Sequence, residues 1–222
     1  MQAKRVTLFS GHYGSGKTNV AVNFSVGLAK TGAQVSIYDL DIVNPYFRTV
    51  DADKVLADSG VELVVSPFAE TNVDIPAMNA KSYKMVDDLN RYAVVDLGGD
   101  DRGALALGRF SQKLKEENDY DLLLVVNKYR PETRDIDGVL QIMNEIEFAS
   151  KMKFTGIVNN SNLGIETIAE TVENSIEFIN QVCSRTSLPL VFTAVREDLI
   201  NELKEKIQNL LPIKLIKYGS WL

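Results

Sequence analysis

Residues 11–18 read GHYGSGKT, and no other stretch restricts the fold so tightly. Gly11, Gly16, Lys17 and Thr18 satisfy G-x-x-x-x-G-K-[ST] without a gap. That pattern carries a mechanism only where a strand leads into it and a helix leaves it. Both flanks are present, RVTLF before it and TNVAVNFSVGLAK after it. Glycines let the backbone curl until successive N–H groups point inward around anionic oxygens. The following helix adds the positive end of its dipole. Lys17 is then expected to reach the β- and γ-phosphates of a nucleotide, and Thr18 to place its hydroxyl on Mg²⁺.

The rest of the chain fits around such a unit. Short apolar runs rich in Val, Ile and Leu occur at 5–10, 34–40, 61–66, 92–98, 121–127, 154–160 and 189–195. They lack strict alternation, as expected of strands buried on both faces. Helix-like segments lie near 17–30, 50–59, 79–90, 103–117, 132–149, 165–184 and 198–210. This alternation predicts an α/β fold, a three-layer arrangement with a mainly parallel sheet of about seven strands and helices on both faces. Without repeat or linker, residues 1–222 read as a single nucleotide-binding domain.

Composition narrows the partners. A formal net charge of -6 argues against a chain built to grip nucleic acid. Cys183 and His12 are the only residues of their kinds, so a Cys/His zinc site is excluded. The N-terminus is too weakly apolar for a signal peptide, and no stretch approaches a spanning helix; a cytoplasmic location is expected. The tail LPIKLIKYGSWL mixes lysines with apolar residues, but Pro212 interrupts the preceding helix. A docked tail is expected there, not a membrane-surface helix.

Ligands of open α/β sheets bind beyond the carboxyl ends of the strands. The second strand ends in IYDLDIVNPYFR, which puts Asp39 and Asp41 there, and YAVVDLGGDDRG puts Asp96 before a glycine pair. A carboxylate after an apolar strand suits Mg²⁺ coordination beside a phosphate loop.

The segments GHYGSGKTNVAVNFSVGLAKTGAQVSIYDLDIVNPYFR, VVDLGGDD and GIVNN resemble the MinD/ParA/CobQ group of P-loop ATPases, and within it an ATP-binding branch carrying HYGSGKT and DLDIVNPYFR. The resemblance covers nearly the whole chain and implies a P-loop NTPase fold. It implies that Gly11, His12, Tyr13, Gly14, Ser15, Gly16, Lys17 and Thr18 surround ATP or ADP, and that Asp39 and Asp41 lie in the Walker A′ segment. Asp41 would position the attacking water. Asp96 would be the Walker B acid, sharing Mg²⁺ with Thr18 and Asp39. Residues 41–48 and 97–103 would be the switch loops, and Lys17, Asp41 and Asp39 the groups closest to hydrolysis.

The chain departs from the group at one position. MinD/ParA proteins usually carry K-G-G-x-G-K-[ST], whose first lysine reaches across a nucleotide-dependent homodimer. Here His12 stands in that lysine's place and Tyr13 in a glycine's. Histidine is shorter, so Arg48 and Arg102, one in each switch segment, become candidates for the missing cation. Base identity rests on two further readings. NKYR at 127–130 has Arg130 where the guanine-pairing Asp of an N-K-x-D segment would stand, which favours ATP over GTP. The resemblance implies an adenine contact from a late strand, for which Asn159 matches better than Asn160.

Three functions accommodate these residues. The first is a slow ATPase acting as a molecular switch read by a protein partner. The second is an ATP-dependent small-molecule kinase or ligase of the CobQ or dethiobiotin-synthetase kind, with residues 66–83 lining a substrate pocket. The third is a nucleotide-binding regulator without meaningful hydrolysis. The first is favoured by the two Asp-ended strands and the glycine-flanked switch.

Overall fold

The computed structural model describes residues 3–40, 52–65, 80–98 and 101–216, without the side chains of residues 80, 81, 101 and 102. Eight strands form one sheet: β1 (Val6–Ser10), β2 (Val35–Leu40), β3 (Glu62–Val65), β4 (Tyr92–Leu97), β5 (Tyr120–Val126), β6 (Gly156–Asn159), β7 (Leu190–Arg196) and β8 (Leu210–Ile213). Their order is β3-β2-β4-β1-β5-β6-β7-β8, and every pairing is parallel. The connections lead outward to opposite sides of β1, so a crevice opens at its carboxyl end.

The central strands are apolar on both faces because both are covered. Along β5, Leu122, Leu124 and Val126 enter one hydrophobic cluster, while Leu123 and Val125 enter another. The first is closed by α3 (Ala80–Asp87), α4 (Asp101–Gly108), α5 (Ser111–Glu117), α6 (Ile136–Ser150) and α7 (Ala169–Thr186). The second lies under α1 (Lys17–Ala29) and α2 (Asp53–Asp58). Phe24 of α1 packs edge-on to Phe9 and stacks on Phe192, with ring centroids 5.3 and 6.1 Å apart. That aromatic contact seats α1 over the sheet.

Several boundaries differ from the sequence expectation for identifiable reasons. The helix expected over 103–117 is two helices, because the chain turns at Arg109–Phe110 to bury Phe110. The helix expected from 132 starts at Ile136, where the Asp135 side chain accepts from Gly138 N at 2.9 Å; a good N-cap outcompetes Pro131 as the start. The helix expected over 198–210 contracts to α8 (Ile200–Leu203), and residues 210–213 join the sheet beside β7. Pro212 is tolerated there because β8 is an edge strand. The expected docking of the tail is therefore seen through residue 216, while 217–222 lie outside the described residues. Among the described residues no helix is long and apolar enough to cross a membrane.

A buried cation ties the fold together away from the crevice. Arg5, 8% exposed, bonds both carboxylate oxygens of Glu117 and donates to the carbonyls of Met85 and Asp88 at 3.0 and 3.2 Å. Arg5→Ala strands the Glu117 carboxylate and two carbonyls, so it is expected to lower stability by about 2–3 kcal/mol. The check is the urea midpoint; a change under about 0.5 kcal/mol would show the network to be dispensable.

Candidate nucleotide site

The loop between β1 and α1 owes its shape to three positive-φ glycines, Gly11 at 149°, Gly14 at 76° and Gly16 at 85°. Ser15 N donates to the His12 carbonyl at 3.1 Å, closing the turn. Gly16 is the N-cap of α1 and has no side chain to offer the first-turn N–H groups. Those donors therefore face the crevice, where the helix dipole favours an anion. Lys17 and Thr18 are buried, and Lys17 Nζ donates to the His12 carbonyl at 3.2 Å. The Ser15 hydroxyl is fully buried and has no hydrogen-bond partner among the described residues.

Asp39 and Asp96 are register partners on β2 and β4, and Asp96 is also paired with Phe9 on β1. Two residues back, Ile37 and Val94 belong to the cluster under α1, and strand alternation puts both carboxylates on that same side. They are 4% and 0% exposed. Neighbouring buried carboxylates repel unless cations stand close by. With the Thr18 hydroxyl at the start of α1 they are the hard oxygens available to hold Mg²⁺. That ion takes one or two carboxylates plus phosphate oxygens and seldom a full protein cage. Among the described residues no group of three or more His, Cys, Asp and Glu converges.

Beside the loop is a cavity of about 400 Å³. Its walls come from the carboxyl ends of β6, β7 and β8, with Arg130 from the loop after β5. The two neighbouring asparagines at the end of β6, Asn159 within it and Asn160 just past it, part company here. Asn159 is fully buried, donates to Ser175 Oγ at 2.9 Å, accepts from Ser161 N at 3.1 Å, and lies outside the lining. Asn160 lines the cavity and donates to the Ser15 carbonyl at 2.6 Å. The residue that the sequence set second thus lies against the glycine loop, and the one it set first serves the core. Asn162 also lines the cavity, accepting from Gly164 N at 3.1 Å.

The NKYR segment behaves differently from its sequence reading. Asn127 is buried, and its side chain donates to the Asn162 carbonyl at 3.2 Å and accepts from Asn162 N at 3.3 Å. It braces the β6 loop. Arg130 leans over the glycine loop, its Nε 3.7 Å from where a Cβ on Gly14 would sit. Sequence reasoning read Arg130 only as a missing Asp and overlooked Arg196. The Arg196 guanidinium grips Asp198 through two bonds of 2.6 and 2.8 Å and donates to the Ile165 carbonyl at 2.9 Å. Hydrogen bonding to Asp198 raises the Arg196 guanidinium further above its ordinary range and lowers the Asp198 carboxyl.

His12 turns toward the loop after β5. Its Nδ1 is 2.9 Å from the Tyr13 carbonyl and 3.6 Å from a Glu132 carboxylate oxygen. Tyr13 is 54% exposed at the cavity rim. Asp41 and Arg48 lie outside the described residues, as does the side chain of Arg102. Gly103, at the start of α4, presses on the end of β4, since a Cβ there would meet Gly98 N and O at 2.8 Å.

Residues 6–218 match the CbiA family, the CobQ/CobB/MinD/ParA nucleotide binding domain. The chain belongs to this family. Membership makes it a nucleotide-binding P-loop domain of the MinD/ParA type. No curated protein matches it in sequence. FtsY from Mycoplasma mycoides is 18% identical with a TM-score of 0.59, over 98% of this chain and 66% of its own. FtsY from Thermotoga maritima is 17% identical with a TM-score of 0.58, over 86% of this chain and 61% of its own. The signal recognition particle receptor FtsY from Elizabethkingia anophelis, in complex with GDP, is 15% identical with a TM-score of 0.54, over 88% and 58%. At these identities the likeness is one of fold, and the chain spans less than two thirds of each of these structures.

Proposed function

We propose that the protein is a cytoplasmic, Mg·ATP-dependent molecular switch that hydrolyses ATP slowly and is read by a protein partner. This reading is carried by Asp39 and Asp96, buried register partners at the carboxyl ends of β2 and β4 on the side that α1 covers, with Lys17 and Thr18 buried at the uncapped start of that helix. In this reading the loop N–H groups and Lys17 take the β- and γ-phosphates. Thr18, Asp39 and Asp96 hold Mg²⁺, directly or through water, and the ion neutralises charge on the transferring phosphoryl group. Asp41 orients the attacking water.

ATP is proposed over GTP on a new footing. The described lining contains Asn160, Ser161, Asn162 and Thr167 but no Asp or Glu. Guanine presents a ring N–H and an amino group side by side, which a carboxylate accepts best. An amide such as that of Asn160 or Asn162 both donates and accepts, as adenine requires. The base contact that the resemblance assigned to Asn159 therefore passes, in this proposal, to Asn160 and Asn162.

His12 is engaged by its own chain, and the exposed Arg130 stands beside Gly14. We therefore propose that Arg130 supplies positive charge in cis. A nucleotide-dependent homodimer then adjusts turnover without being needed for binding, and turnover per molecule measured across protein concentration tests this. The kinase or ligase alternative draws on residues 66–83, most of which lie outside the described residues, and no described feature favours it.

The decisive variant is Asp96→Asn. It keeps the shape of the side chain and removes half of the proposed metal charge. ATP affinity in Mg²⁺ is expected to fall at least tenfold, toward the value in EDTA, and turnover to be lost. Titration calorimetry with and without Mg²⁺ reads this directly. Unchanged Mg²⁺ dependence in the variant would remove Asp96 from the metal site and the switch reading with it.

A further inference from the structure

The tail of the described chain contributes to the same cavity. Ile213, the last residue of β8, and Leu215 both line it. Both also belong to the apolar cluster beneath α1, where Ile216 joins them. Beyond β8 this backbone has left the sheet, yet three of its polar groups are paired with two side chains of α1. Asn23 Oδ1 accepts from Lys214 N at 2.9 Å, and Asn23 Nδ2 donates to the Lys214 carbonyl at 3.1 Å. One turn earlier, Asn19 Oδ1 accepts from Ile216 N at 3.2 Å. Asn23 Nδ2 also donates to the Asn19 carbonyl at 2.8 Å, linking the two rungs.

This arrangement is costly as plain helix architecture. Asparagine is a poor helix former, and α1 spends two of its thirteen positions on it along one face. What the pair secures is a strand-like clasp on residues 214–216. Asn19 directly follows Thr18 and itself lines the cavity. One side chain in the first turn of the phosphate-loop helix thus touches both the ligand space and the tail.

We propose that residues 213–216 form the outer wall of the base pocket, with Asn19 and Asn23 as its positioning residues, so that the base of the nucleotide and the tail dock cooperatively. The inference rests on the reading of the cavity as the base site. Phosphates make no use of this wall, whereas the base packs against Leu215. By linkage, the free energy the base gains from the wall is returned to the docking of the tail. Tail mobility would thereby report nucleotide occupancy.

The test compares Mg·ATP with Mg·tripolyphosphate, which has the phosphates and lacks the base, on the full chain. Calorimetry is run on wild type, Asn23→Ala, Leu215→Ala and Leu215→Met. Amide exchange of Lys214 and Ile216 is followed in wild type, which requires no variant to fold. Expected are a roughly tenfold loss of ATP affinity in both alanine variants, recovery in Leu215→Met, and unchanged tripolyphosphate affinity throughout. The Lys214 and Ile216 amides should be slowed by ATP but not by tripolyphosphate. Equal losses for both ligands would reduce the clasp to fold maintenance and overturn the inference. Unchanged ATP affinity, or exchange indifferent to ATP, would do the same. If wild type binds ATP no more tightly than tripolyphosphate, the base does not use the cavity, and the underlying assignment fails before the tail is in question.

Discussion

Lys17→Ala is expected to lower affinity for Mg·ATP by about 100-fold or more while leaving the fold intact. The ammonium is delivered by the first residue of α1 and sits in a buried setting, 5% exposed, against the His12 carbonyl. Charge-assisted hydrogen bonds to phosphate contribute about 1.5–3 kcal/mol each, and in the proposed role Lys17 makes two, to the β- and γ-phosphates. Their combined loss corresponds to two or more decades in Kd. The ligand-free protein should stay folded, because alanine retains the helix, but with a modest loss of stability, because a buried cation is removed from a crevice that holds two buried carboxylates. Calorimetric titration with ATP, alongside a thermal melt, reads both quantities. Retained tight binding in a folded variant would take Lys17 out of the phosphate site.

Gly11→Ala should act on the scaffold itself. Gly11 has a φ of 149°, and a Cβ there would lie 2.5 Å from the Val125 carbonyl oxygen. That oxygen belongs to β5, which is paired to β1 on one side and β6 on the other, so it cannot retreat. An overlap of this kind forces the glycine loop off the sheet, at a cost of about 3 kcal/mol or more. For a chain of this size the melting temperature should fall by roughly 6–12 °C, and ATP binding should fail with it. Gly27→Ala is the contrast. Gly27 lies in α1 with nothing within 4 Å of its Cβ position, and the change should stabilise by up to about 1 kcal/mol. Equal melting temperatures for the two variants would show that the loop tolerates a side chain at Gly11.

The α/β alternation, the glycine loop and the strand-end carboxylates were all legible in the chain, because each is a local pattern with a local cause. An apolar run without alternation needs two covered faces, and glycine, lysine and threonine at fixed spacing need an anion. Seven of the eight strands could be read this way. β8 could not, since LLPI carries a proline and follows a helical pattern. Only the free edge of β7, created by the rest of the sheet, makes those residues a strand.

The asparagines show the same limit more sharply. Asn127, Asn159, Asn160 and Asn162 are chemically identical side chains at strand ends. Their division between core brace and cavity wall depends on which neighbour, Ser175, Ser15 or another loop, reaches each amide first. That is a long-range fact: Asn160 meets Ser15 from 145 residues away. So does the clasp of Asn19 and Asn23 on residues 214–216, which joins the two ends of the chain.

By itself, then, the sequence determined the fold class, the phosphate loop and the carboxylates that end its neighbouring strands, because backbone conformation and burial on one element are encoded within a few residues. The tertiary structure decided which asparagines border the cavity, that Arg130 leans over Gly14, and that the tail completes the wall. Those outcomes depend on separate strand ends arriving at one crevice, and contact between distant segments leaves no periodicity or spacing in the chain to read.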